Sequence, residues 1–200
     1  VRETKKVQIE DYFSTIRKQI KTFSEDRMII DATKSFRDAF PEFSKEIYIS
    51  DADMNKYKSA VKNYYTGDFE NEYKLQNNGK QSNAVSYFEQ LDDNSIAFQY
   101  HLIAANPNPL GEKHKLNTVD VAEGRSLYNK THRVYHPVIR EYLEQFGYYD
   151  IFIVDPDSGN IIYSVFKELD FATSLKDGPY AKTNFGRAFN EVNASTDPNY

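Results

Sequence analysis

The side chains most able to do acid–base or metal chemistry in this sequence are its four histidines, His101, His114, His132 and His136. Their spacing matches neither H-E-x-x-H nor another familiar zinc pattern; His132 and His136 can share one helix face, which is only the minimum for a metal. The sequence has no cysteine and lacks G-x-S-x-G, P-loop and G-x-G-x-x-G motifs. We therefore expect no catalytic residue, no metal and no cofactor.

A second set of polar side chains lies in residues 147–171, GYYDIFIVDPDSGNIIYSVFKELDF. Apolar runs on both sides of the turn residues DPDSGN predict a β-hairpin. Tyr149 and Tyr163 fall on adjacent strands, with Asp150 beside the first and Lys167 after the second. Such rings and charges suit contact with a small polar ligand. The alternative is that the tyrosines fill the core and Lys167 is solvated.

The N-terminal segment is predicted to be helical, because its apolar residues recur every three or four positions. These residues are Ile9, Tyr12, Phe13, Ile16, Ile20 and Phe23. One continuous helix over residues 3–30 would be roughly 40 Å long at about 1.5 Å per residue, longer than a compact domain of this size needs. Alternatively, Ser24, followed by Glu25 and Asp26, caps a second helix that runs to Phe40, where Pro41 ends it.

Further along the chain the pattern predicts helices at 51–64, 84–91, 118–146 and 185–192. Pro137 predicts a break in the third of these near His136, and Gly147 is expected to end it. The polar stretch 66–83 is interpreted as mostly loop. Residues 96–104, within SIAFQYHLIAAN, are interpreted as a third strand beside the hairpin.

Composition restricts the class of function. The formal net charge is −5, and the lysines and arginines are scattered, so nucleic acid is not an expected partner. No apolar stretch reaches the roughly 18 residues that a membrane span needs. The chain begins at Val1 instead of Met, and we expect it to be part of a longer protein.

The order of elements and the segment 146–189, FGYYDIFIVDPDSGNIIYSVFKELDFATSLKDGPYAKTNFGRAF, resemble the PAS-like (PDC or Cache) sensor modules of bacterial methyl-accepting chemotaxis proteins and sensor histidine kinases. The resemblance implies an α+β fold, in which a long N-terminal helix and a helical layer pack on a PAS-like antiparallel sheet. It divides the chain into a signalling helix or stalk, 1–45, and a sensor module, 46–200. Family members continue with two more strands, so either this chain ends before its last strands or its sheet is finished differently.

The resemblance also implies ligand contacts. Amino-acid-binding members carry Tyr, four residues, Arg, one residue, Trp and Tyr; here Tyr128, Arg133, Tyr135 and His136 have that spacing. The guanidinium would bind a carboxylate and the rings would contact an ammonium group. The sequence departs from the pattern, with Tyr in place of Trp and His in place of Tyr. A surface or ion-pair role for Arg133 is the alternative.

The function implied is that of an extracytoplasmic sensing domain of a transmembrane chemoreceptor or sensor kinase, the periplasmic portion of a bacterial inner-membrane protein. It would bind an amino acid, an organic acid or an amine, form a homodimer through the N-terminal helix and transmit through that helix. The alternative is a structural or protein-recognition domain of a membrane signalling protein, without a small-molecule ligand.

Overall fold

The structure, a computed structural model, describes residues 2–119, 121, 124 and 126–197. The helices are α1 (Arg2–Glu25), α2 (Arg27–Ala39), α3 (Phe43–Glu46), α4 (Asp51–Tyr64), α5 (Glu70–Gln76), α6 (Ala84–Phe88), α7 (Asp93–Gln99), α8 (Leu127–Phe146) and α9 (Asn184–Ala194). The strands are β1 (Phe152–Val154) and β2 (Ile161–Ser164). A mostly helical chain with a small antiparallel sheet confirms the α+β class.

The N-terminal helical segment is divided at Asp26, which is the N-cap of α2. Its side chain accepts a hydrogen bond of 2.7 Å from the backbone N–H of Met28, and such a bond satisfies one of the free donors of a helix start. A second helix is therefore observed, as the second sequence alternative predicted, but its cap is Asp26; the hydroxyl of Ser24, the predicted cap, instead donates to the carbonyl of Lys21 at 2.8 Å. Helix α2 buries Ile29 and Phe36 on its inner face, whereas α1 has no buried residue.

The predicted strand at 96–104 is wrong. This segment forms α7 and one turn of π-helix, Tyr100–Ala104. The side chain of Asp92 caps the helix by accepting a hydrogen bond of 2.7 Å from the N–H of Ser95. A short run that is apolar on all sides suits a buried helix as well as a buried strand, and periodicity alone does not separate the two.

The interpretation of 66–83 as loop is also wrong for its first half. Helix α4, which begins in a capping box formed by Ser50 and Asp53, continues through a π-helical turn, Tyr65–Phe69, into α5. The polar composition that suggested a loop is typical of a helix with one solvent-exposed face.

Helix α8 has no break at His136, contrary to the prediction from Pro137. It runs continuously from Leu127 to Phe146 with the proline inside it. Gly147 ends it with a φ of 68°, as predicted, because glycine adopts the left-handed region without a side-chain penalty. Four residues of the longer predicted helix, 120, 122–123 and 125, lie outside the described residues.

The predicted hairpin is confirmed, but its strands are short. Ile153 of β1 pairs with Tyr163 of β2, and a bulge follows at Val154. On the far side of β2, the N–H of Ile161 donates to the carbonyl of Thr173 at 2.9 Å. Because β1 begins at Phe152, Tyr149 precedes the strand instead of lying on it.

The core joins the N-terminal helices to the hairpin. Phe36 of α2 lies between Tyr128 of α8 and Tyr163 of β2, with ring centroids 5.2 Å and 4.7 Å away. The predicted boundary at residue 45 stays a prediction, although Ile29 and Phe36 belong to the same core as the hairpin. Of the described helices, none combines the length and the apolar composition required to cross a membrane.

Candidate functional site

The structure gathers a group of ionisable side chains under the hairpin, between α8 and the segment that follows β2. We call this group the lysine cluster; it consists of His132, His136, Asp150, Tyr163 and Lys167. Four of these five residues were predicted from the sequence as ligand contacts. His132 was not.

His136 is held in one tautomer. Its Nε2 lies 2.7 Å from the backbone carbonyl of His114, which can only accept, so Nε2 carries the proton. Its Nδ1 then accepts a hydrogen bond of 2.7 Å from the hydroxyl of Tyr163. Burial, with the charge of Lys167 acting in the same direction, lowers the pKa of His136 to about 2. The imidazole is therefore neutral at physiological pH.

Lys167 is the most unusual member, because its ammonium group is enclosed. The side chain is 2% exposed, and Nζ donates to the carbonyl of Ser164. Nζ also lies 4.4 Å from the ring centroid of Tyr163 and 5.4 Å from that of Phe171. Burial lowers the pKa of Lys167, and the charge of Asp150 opposes that shift.

Asp150 is the counter-charge of the cluster, but it does not form a direct ion pair with Lys167. Its Oδ1 instead accepts hydrogen bonds from the N–H groups of Ile151, Val165 and Phe166, at 2.7, 2.9 and 3.3 Å. Burial raises the pKa of Asp150, whereas these N–H groups and Lys167 lower it. Asp150 thus joins the start of β1 to the chain leaving β2.

Two buried polar groups on α8 lack partners among the described residues. His132 Nδ1 lies 3.3 Å from the carbonyl of Asn117 and carries the proton, so Nε2 is a bare acceptor; it is buried and makes no hydrogen bond. The side-chain nitrogen and oxygen of Asn129, one turn earlier, are likewise buried without a hydrogen bond. Buried polar atoms are nearly always satisfied in proteins, so these exceptions single out this part of α8 as a candidate site.

The segment 113–117 covers this part of α8. Three side chains on one stripe of the helix hold it: His132 and His136 through the bonds described above, and Arg140. Arg140 Nη1 donates to the side-chain oxygen of Asn117 at 3.0 Å. Arg140 was not predicted from the sequence. Its spacing of four residues from His136 places it on the same helix face and could have indicated it.

The remaining predicted contacts lie apart from one another. Arg133 is exposed, and Tyr149 is 80% exposed. Tyr135 is half-buried, with its ring centroid 6.4 Å from that of Phe36. Tyr128 is fully buried next to the cluster, and its hydroxyl donates to the carbonyl of Ile162 at 2.9 Å. Arg133 and the two tyrosines on its helix therefore do not converge on one point.

The segment that carries Lys167 has a strained backbone. Lys167 and Ala172 have φ angles of 58° and 64°, a region that residues with a side chain rarely adopt. Gln99 of α7, itself fully buried, holds the segment: its Nε2 donates to the carbonyls of Leu169 and Phe171, at 3.1 and 2.8 Å. The hydroxyl of Tyr65 donates to Gln99 Oε1 at 2.8 Å.

An apolar groove of about 690 Å³ opens beside the cluster. Asp150 is its one charged lining residue among those described; the rest of the lining includes Phe23, Tyr148, Phe152 and Phe185. The carbonyl of Ile151 and the N–H of Asp155 form hydrogen bonds on the β2 side. Because successive residues of a strand direct their backbone groups to opposite sides, the N–H and C=O groups of Phe152 and Val154 face away from β2. β1 therefore presents a free edge to the groove.

Comparison with protein-family models, with curated proteins and with solved structures finds no match for this chain. The resemblance to PAS-like sensor modules therefore stays a prediction. No group of three or more His, Cys, Asp or Glu side chains within the described ranges is placed to hold a metal ion.

Proposed function

We propose that this chain is the ligand-sensing module of a transmembrane chemoreceptor or sensor kinase, with the lysine cluster as its ligand site. It would lie on the periplasmic side of a bacterial inner membrane. The observation that carries the proposal is the enclosed Lys167 beside the unpaired His132 Nε2. Buried charges and unpaired polar atoms reduce stability, and a ligand that satisfies them gains the corresponding free energy on binding.

The contacts of α1 support transmission. Phe23 stacks on Tyr142 of α8 with ring centroids 4.1 Å apart. The hydroxyl of Tyr148 donates to the side-chain oxygen of Gln19 at 2.8 Å. Because Tyr148 is two residues before Asp150, a shift of the cluster reaches α1 through a short covalent path. A ligand moves α1 only as far as its affinity differs between the two arrangements of the helix.

The free edge of β1 supports the finer, PAS-like description of the fold. Exposed strand edges are normally paired or covered, and a two-stranded ribbon is rarely stable by itself. We propose that further strands of the same protein pair with Phe152 and Val154 and fill the groove. The sheet would then have the additional strands that the resemblance implies.

A thermal-shift screen over organic acids, amino acids and amines tests the sensing function. A ligand at a hundred times its Kd stabilises the folded state by about 2.7 kcal/mol, which is readily seen as a rise in Tm. We expect at least one class of compound to raise the Tm. If no compound in any class does so, the proposal of a small-molecule sensor fails.

The second candidate is a protein-recognition domain without a small-molecule ligand. The close contacts within the cluster favour it, since Tyr163 already bonds to His136 and Lys167 already lies over two rings. The apolar groove would then be the recognition surface. A purified periplasmic protein that raises the Tm when every small molecule leaves it unchanged would support this reading.

A further inference from the structure

In the lysine cluster, Lys167 has unused hydrogen-bond donors and His132 has an unused acceptor. Lys167 Nζ has three N–H bonds and, among the residues that the structure describes, one hydrogen-bond acceptor, the carbonyl of Ser164. The rings of Tyr163 and Phe171 attract its charge but accept no conventional hydrogen bond. The ammonium group therefore has donors to spare, and an oxygen with negative charge is the partner it binds most strongly.

The neighbouring His132 has the opposite requirement. The carbonyl of Asn117 fixes the proton on Nδ1, which leaves the buried lone pair of Nε2 without a donor among the described residues. His132 and Lys167 both lie against the ring of Tyr163, whose centroid is 6.1 Å from that of the His132 ring and 4.4 Å from Lys167 Nζ. The charge of Lys167 lowers the pKa of His132, after burial as the main cause. One small molecule can therefore meet both groups if it carries an anionic oxygen and, next to it, a hydrogen-bond donor.

The donor on that molecule is better neutral than charged. A second ammonium group next to Lys167 would be repelled by it. A second ammonium group would also have to be taken out of water, which costs far more free energy than burying a hydroxyl group. A hydroxyl group donates to His132 Nε2 without adding charge.

We propose that the ligand is a small 2-hydroxy carboxylic acid, whose carboxylate binds Lys167 Nζ and whose hydroxyl donates to His132 Nε2. This assignment rests on the proposed sensing function and gives that site its ligand class. The segment 113–117, which His132, His136 and Arg140 hold over α8, is the cover that opens to admit the acid.

Binding of such an acid is linked to a proton. An anion beside Lys167 favours the charged lysine, whereas burial disfavours it. The other groups that face Lys167 are His132 and His136 from α8, Asp150 ahead of β1 and Tyr163 from β2; Glu168 and Asp170 follow it in its own segment. Both histidines are held neutral by burial, so the proton taken up on binding goes to Lys167 or to the carboxyl groups of Asp150 and Asp170, whose pKa burial raises; the loss of that uptake in Lys167→Met assigns it to the lysine.

Isothermal titration calorimetry with matched pairs of acids tests the assignment. The pairs are lactate with propionate, malate with succinate, and glycolate with acetate; the second member of each lacks the hydroxyl. We expect one hydroxy acid to bind at least about tenfold more tightly than its partner, because the partner leaves His132 Nε2 unpaired. Its affinity should fall from pH 6.5 to pH 9, with net proton uptake measured in two buffers of different ionisation enthalpy.

Lys167→Met isolates the contribution of the lysine, since it removes the charge and keeps most of the apolar stem. Lys56→Met is the control: Lys56 also lies against an aromatic ring, with Nζ 5.8 Å from the ring centroid of Tyr100, but it is exposed and belongs to α4, outside the cluster and its cover. We expect Lys167→Met to weaken binding at least about tenfold and Lys56→Met to bind like the wild type. The comparison of the paired acids on the wild type gives an answer even if Lys167→Met does not fold.

The outcomes separate this inference from the proposed function. Equal binding of a hydroxy acid to the wild type and Lys167→Met, or binding without proton uptake, overturns the role of Lys167. Binding of amines or amino acids, with none of the three hydroxy acids, overturns the ligand class and leaves the sensing function intact. Failure of every compound in the wider screen overturns both.

Discussion

At the scale of single residues, the distinctive feature of this protein is the number of ionisable groups that its interior encloses. Lys167, His132, His136 and Asp150 lie together, and Asp170 follows in the same segment as Lys167. Each pKa is moved toward the neutral form of its group, with burial as the largest cause. Such sets of perturbed groups are found at functional sites more often than elsewhere.

Asp170 gives a prediction of pH dependence. Burial, with the charges of Asp150 and Glu168, raises its pKa from 3.8 to about 7. Below the unfolded value the carboxyl group is protonated in both states and has no effect. As the pH rises through the folded value, the unfolded state gains relative stability, because it ionises more easily. Asp170→Asn should therefore match the wild type at pH 4 and exceed it by about 2–4 kcal/mol at pH 8.

Urea unfolding at both pH values measures this difference. Asp177→Asn serves as the control, since Asp177 is exposed and should change stability by less than about 0.5 kcal/mol at either pH. A stability difference between Asp170→Asn and the wild type that does not vary with pH would contradict the burial of the Asp170 charge.

At the scale of elements, tertiary contacts decide where helices continue. Pro137 lies inside α8, where it removes one backbone hydrogen bond and crowds the preceding turn. The helix continues through it because Tyr128, His132, His136, Ile139 and Leu143 all bury side chains along the same helix. The free energy of that packing exceeds the cost of the proline.

Pro137→Ala should raise the free energy of unfolding by about 1–3 kcal/mol, because alanine restores the missing N–H and has the highest helix propensity. Val138→Ala, at the next position and exposed, controls for the general effect of an added alanine and should stay within about 0.5 kcal/mol. Chemical denaturation of the three proteins gives the comparison. Loss of stability in Pro137→Ala would show that the proline fixes a bend that the packing requires.

At the scale of the whole molecule, α1 is attached to the rest of the protein by one end only. Its final turns contact α8 and Tyr148, while Ile9, Tyr12 and Phe13 are exposed on the earlier turns. An apolar stripe of this kind on a helix is typical of a surface that packs against another helix. We propose that the helix pairs with its copy in a homodimer.

Phe13→Glu should weaken this dimer by at least about tenfold, since Phe13 is 62% exposed and its loss should leave the protomer intact. Lys18→Glu, on the opposite side of α1, makes a larger change in charge away from the stripe and should leave the dimer unchanged. Sedimentation velocity over a concentration series measures both. A wild-type chain that is monomeric throughout, or equal weakening by both substitutions, would rule out pairing through the stripe.

The sequence by itself determined the features whose signals are local. These are the hairpin around DPDSGN, the helix end at Gly147, the start of α4 after Ser50 and the apolar stripe of α1, each specified by a few adjacent residues or by one period. Residues 96–104 have no such signal, because a short, uniformly apolar run packs equally well as helix or strand. The cap at Asp92, which is a local signal, and contacts with distant residues, such as that of Gln99 with Leu169, favour the helix.

For the candidate site, too, the sequence determined some features and only the tertiary structure decided the others. The sequence identified Tyr163, Lys167, Asp150 and His136 by residue type, but it could not show that Arg133 is exposed while Lys167 is enclosed. Which side of α8 is buried depends on how α2 and the hairpin pack against it, through contacts between residues far apart in the chain. Only the tertiary structure brings His132 and Lys167 together, because no local pattern encodes the meeting of a helix with the segment after β2.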